Sequence, residues 1–134
     1  MAGVFMMAIS RAYEKCLTGL TCMVRGTGTI QERLAAAFLQ HLRHIDPDED
    51  LTPALEQQFL EMKGMVTARA PEHEGESRIE ATTREMSDLE AQEAADIFIA
   101  FATNVSAVYH EEERLRCIRE GEEKARTSEG RDAA

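Results

Sequence analysis

Along most of this chain, apolar residues return every third or fourth position. Phe5, Ile9, Tyr13, Cys16, Leu17 and Leu20 form one such series, Ile30, Leu34, Phe38, Leu42 and Ile45 a second, and Leu55, Phe59, Met62 and Val66 a third. That period is the signature of helices that each bury one face. Sustained two-residue alternation is missing, as are Asn-Gly and Asp-Gly turns, so nothing points to a sheet. The pattern predicts an all-α fold, a compact bundle of four or five helices joined by short connections.

Boundary residues sharpen these elements. Gly26 and Gly28 in RGTGT close a first helix that runs from about Val4 to Val24, because a glycine costs a helix interior roughly 1 kcal/mol. Thr29 with Glu32 is a capping-box pair that starts a second helix, expected to run to Ile45 before Asp46-Pro47 turns the chain. Thr52 as cap and Pro53 at the first helical position open a third. ARAPEHEGESR, residues 68–78, has little to bury and reads as a mobile loop. A short helix is expected from about Ile79 to Glu85. Ser87 with Glu90 then caps a long, largely buried helix from Asp88 toward Ile118. Beyond Gly121 the charged, small-residue sequence predicts a disordered tail, giving one bundle domain over 1–120 and a tail over 121–134.

Composition narrows the function classes. The chain has 134 residues, 43% of them hydrophobic, enough for one core. Its formal charge of -10 repels phosphate backbones, and no basic face is visible along the sequence, so no direct nucleic-acid partner is expected. Three cysteines without CxxC spacing fit neither a disulfide framework nor a zinc knuckle and suit a reducing, cytoplasmic location. The N-terminal apolar stretch meets Arg11, Glu14 and Lys15 too early for a membrane span, and residues 97–109 are too short for one. No membrane is expected.

The last helix carries the candidate chemistry. On a helical wheel Gln92, Asp96, Thr103 and His110 fall within one arc, filled in by Ala100 and Ala107, while almost everything else from Ala94 to Val108 is apolar. The ordinary reading is a thin wet seam on a broadly buried helix. The sharper reading is metal. Glu93-Ala94-Ala95-Asp96 followed by Ile-Phe-Ile resembles the ExxD-plus-apolar element of the MazG-like nucleotide pyrophosphohydrolases, all-helical enzymes whose carboxylates hold magnesium against a nucleotide triphosphate. The resemblance covers about ten residues and implies Glu93 and Asp96 as Mg2+ ligands. That family's upstream ExxE element has no counterpart at Glu80 with Glu85 or at Glu56 with Glu61, where the spacing differs. Asp46-Pro47-Asp48-Glu49-Asp50 alternates acids like a calcium loop but has Leu51 where the loop glycine belongs, so these acids are expected in a solvated turn. His41 and His44 have no further ligand nearby in sequence.

These features predict a small acidic, non-enzymatic protein that needs no cofactor and acts by docking, either as a homodimer or as an accessory subunit. An inhibitor of a nucleic-acid-binding partner is one subtype. The alternative is the magnesium-dependent hydrolase. The apolar surplus of residues 94–108 and of the N-terminal segment places the expected interface on the first and last long helices, at Phe5, Ile9, Phe98, Phe101 and Val105.

Overall fold

A computed structural model describes the backbone of residues 2–133 and the side chains of residues 9–128. Among them the protein is all-α: α1 (Ala2–Arg25), α2 (Ile30–Gln40), a 3-10 turn (Leu42–His44), α3 (Pro47–Asp50), α4 (Pro53–Val66), α5 (Arg78–Arg84) and α6 (Asp88–Ala133). α1, α2 and α4 pack around the first half of α6. Phe98 and Phe101, both fully buried, sit at the centre. Phe98 meets the edge of Phe38 from α2 at 6.1 Å, and Phe101 tilts against Phe59 from α4 at 5.6 Å. Ala91, Ala94, Ala95 and Ala102 on the same helix are buried too, and their small side chains let neighbouring backbones come close.

Gly19 shows how tight that approach is. A Cβ built there would lie 2.9 Å from Phe98 Cζ and 3.5 Å from Leu42, so the glycine leaves room for the end of the central ring. At the end of α1, Arg33 reaches back from α2 to donate to the Met23 carbonyl at 2.7 Å, satisfying a last-turn acceptor with a cation.

Several boundaries follow their caps. Thr29, Thr52 and Ser87 each accept the backbone N–H three residues on, and Leu55, Phe59, Met62 and Val66 are all buried as their period predicts. At Ser87 the capping box is reciprocal, since Glu90 accepts the Ser87 N–H at 3.3 Å. At Thr29 it is not: the Glu32 carboxylate takes the Thr29 hydroxyl instead. Ser77 and Glu80 form a further reciprocal box that opens α5.

Three expectations are corrected. α2 stops at Gln40, and the chain tightens into a 3-10 turn held by His44 N–H to His41 and Ile45 N–H to Leu42. This keeps Leu42 and Ile45 buried while freeing Asp46 to take the extended backbone that Pro47 demands. The acids at 46–50 are not a plain solvated turn. Asp46 caps the short α3, accepting from Asp48 and Glu49, and Asp50 is buried at 2% exposure, where it accepts the Asp46 N–H at 2.9 Å. Arg11 lies 3.6 Å from its other oxygen. Finally, α6 does not stop at Ile118. It continues as helix through the expected tail as far as Ala133, with every side chain from Arg114 to Ser128 exposed; Ala134 lies outside the described residues. The 68–78 stretch does lack regular structure up to its last residue, but it is pinned by Arg69 N–H to Thr82 and by Arg78 to the Thr67 carbonyl.

Candidate functional site

α1 and α6 run antiparallel. Tyr13 stacks on Tyr109 with centroids 4.1 Å apart and planes 8° from parallel, and Gly19, farther along α1, meets Phe98, farther back along α6. The Tyr13 hydroxyl lies 3.5 Å from His110 Nε2. These contacts fix which strips of the two helices share a groove. Counting forward from Tyr13, the strip on α1 carries Leu17, Leu20, Thr21 and Val24. Counting back from His110, the strip on α6 carries Ser106, Thr103 and Ile99.

Much of that groove is open to solvent, and three of its exposed side chains are large aliphatics. Leu17 is 46% exposed, Val24 80% and Ile99 51%. No acid or basic residue stands between Tyr13 and Val24 on the α1 strip, or between Ile99 and His110 on the α6 strip. On a chain of formal charge -10, an uncharged face with large aliphatic side chains in water is suited to being covered by a partner surface.

The wet seam overlaps the α6 side of this groove, sharing Thr103 and His110 with it. Gln92, Asp96, Ala100, Thr103, Ala107 and His110 are all exposed, and the Thr103 hydroxyl turns back to donate to the Ile99 carbonyl at 2.8 Å. Glu93 and Asp96 stand on the same outer side of α6, both exposed. Among the described residues no group of three or more histidine, cysteine or acidic side chains is placed to hold a metal, at this pair or elsewhere. His41 ends α2 half-buried and His44 is exposed.

The residues expected at an interface are placed differently from one another. Ile9, Phe98, Phe101 and Val105 are at most 1% exposed within the single chain. They occupy the inner faces of α1 and α6, where α1, α2 and α4 cover them. The Phe5 side chain lies outside the described residues. An interface on these two helices has to use the side chains flanking that core, Leu17, Val24 and Ile99. Leu17 and Ile99 escape a reading by apolar content because each adjoins a true core position in sequence, Cys16 and Phe98. The available signal is angular: each is a quarter turn away from its buried neighbour.

Burial pushes the Cys16 thiol up to about 12, which keeps it protonated as a packing group at neutral pH. All three cysteines are unpaired. No described helix is long and apolar enough to cross a membrane. Comparison with protein-family models, with curated proteins and with solved structures finds no match to this chain.

Proposed function

We propose that this chain is a small acidic docking protein without catalytic activity of its own, acting as a homodimer whose copies meet through the α1/α6 groove. The observation that carries the reading is the uncharged strip bearing Leu17, Val24 and Ile99 on an otherwise strongly acidic molecule. Two copies at -10 each repel over most of their surfaces. A face without charge is where they can approach, and a two-fold arrangement buries the same aliphatic side chains from both. The three free thiols fit a reducing compartment such as the cytoplasm.

Sedimentation equilibrium over micromolar concentrations tests the reading. The native chain is expected to sediment as a dimer, and a Leu17→Glu, Ile99→Glu double variant as a monomer of unchanged helicity. A native chain at monomer mass throughout sinks the homodimer. Calorimetry with magnesium and a nonhydrolysable nucleotide triphosphate addresses the hydrolase resemblance at Glu93 and Asp96. It is expected to be silent, and heat that disappears in Asp96→Ala would restore the enzymatic reading.

A further inference from the structure

A second surface shares no residue with the α1/α6 groove. An open cleft of about 920 Å³ lies between the outer face of α2 and the chain from His73 to Asp88. Its floor is Ala35 and Ala36, with Leu39 one helical turn on, all half-buried. Five carboxylates line it (Glu32, Glu74, Glu76, Glu80 and Asp88) against the single guanidinium of Arg84.

Arg84 is already engaged. Its Nη1 lies 3.1 Å from Glu76, and it also reaches Glu72 at 3.6 Å and Glu85 at 3.4 Å. The Glu76 carboxylate is only 8% exposed, and its Oε1 has no aligned hydrogen-bond donor. The remaining acids have no ion pair among the described residues, and three of them are held in position by neutral donors. The Thr29 hydroxyl donates to Glu32 at 3.2 Å, the Ser77 hydroxyl to Glu80 at 2.9 Å, and the Gln31 amide to Asp88 at 2.9 Å. Gly28 makes the first arrangement possible, since at φ 96° it has no Cβ to meet the Glu32 carboxylate, which would otherwise lie at 2.8 Å. Gly75, at φ 78°, turns the loop between Glu74 and Glu76. Like charges fixed around an apolar floor without counter-cations raise the free energy of the isolated protein, and a cationic ligand relieves that cost.

We infer that the Ala35–Ala36–Leu39 cleft binds a basic amphipathic segment of a partner protein, its apolar side chains on the α2 floor and its lysine or arginine residues against Glu32, Glu74, Glu80 and Asp88. The floor selects an amphipathic segment over a bare polycation, because a fully hydrated cation gains nothing from alanine and leucine side chains. The small side chains of Ala35 and Ala36 admit a bulky partner residue, as helix-in-groove recognition requires.

Fluorescence anisotropy on the full chain tests this, with a labelled 18-residue Lys/Leu amphipathic peptide as probe and a Lys/Ser peptide of equal charge as control. The amphipathic peptide is expected to bind at least tenfold more tightly than the control. Glu32→Gln with Glu74→Gln, which keeps the Thr29 acceptor and the fold, is expected to weaken it about tenfold, and Ala35→Arg to abolish it. A matched pair on the projecting part of α6, Glu122→Gln with Glu123→Gln, is expected to leave it unchanged. Equal affinity for the two peptides, displacement by spermine at matched charge, or equal loss in the two double variants would each overturn the cleft as a peptide site. None of these readouts depends on dimerisation, so the peptide experiment and the sedimentation experiment can fail separately.

Discussion

Two glycines in equivalent-looking helical settings have opposite consequences for their residues. Gly64, inside α4, has open space where a Cβ would go, so Gly64→Ala is expected to stabilise the fold by about 0.5–1 kcal/mol through helix propensity alone. Gly19→Ala gains the same propensity but pushes a methyl against the ring of Phe98. Overpacking of this kind costs about 1–3 kcal/mol, and the net effect is expected to be destabilising. Paired urea midpoints decide both. Phe101→Ala should cost about 3–5 kcal/mol as a core truncation, whereas Asp96→Ala, on the wet seam, should stay within about 0.5 kcal/mol. Thiol titration gives another contrast: exposed Cys117 should react with a disulfide reagent in the native protein, and Cys16 only after unfolding. The single-residue roles legible in sequence were those set by periodicity and caps. Asp50 was not legible, because nothing in an acidic run tells which carboxylate turns inward to meet the Asp46 N–H and Arg11. The chemistry-bearing pair Glu93 and Asp96 was legible as part of a face, but not as a site.

Two helices carry carboxyls that respond to pH in opposite directions. Between α3 and α4, a hydrogen bond with Asp48, reinforced by the negative charges of Asp48 and Asp46, raises the Glu56 carboxyl above its ordinary range. A carboxyl raised in the folded state contributes stability below its unfolded pKa, and the contribution is lost as pH rises through the folded value. Glu56→Gln should therefore flatten the stability profile across mildly acidic pH and raise the urea midpoint at pH 7. On α6 the sign reverses. The hydrogen bond from Arg114 holds Glu111 below the usual carboxylate range, so its contribution is present above the unfolded pKa and fades as pH falls through the lowered value. α6 was also the element least faithfully read from sequence. Gly121 and a polar composition suggested a stop, yet Glu111–Arg114 at 2.7 Å, Glu113–Arg116 at 2.6 Å and Arg116–Glu120 at 3.7 Å form a ladder along its surface. Such exposed pairs each add little, but the packed half of the helix has already met the cost of nucleation. Asp46-Pro47 carries the same start signal as Thr52-Pro53, but the four residues of α3 have no apolar stripe to mark them as a helix, whereas α4 has Leu55, Phe59, Met62 and Val66. Truncation after Glu113 is expected to leave the bundle's Tm nearly unchanged and remove a proportionate share of the helical circular dichroism.

The whole molecule combines a net charge of -10 with two contact surfaces of different physics. Pairing through the uncharged groove brings like-charged copies together, so it should strengthen as salt shortens the Debye length from about 30 Å at 0.01 M to about 8 Å at 0.15 M. Binding of a basic segment in the acidic cleft should weaken over the same range. Measuring both equilibria in one salt series separates the surfaces by sign. The long last helix has a consequence of its own for how the molecule moves through water. Its 46 residues make a rod of about 69 Å, whereas a compact 100-residue domain has a radius of gyration of only about 13 Å. Most of the projecting part adds drag and little mass. A gel-filtration column calibrated with spheres will therefore assign even a lone copy an inflated mass, so early elution does not by itself report pairing.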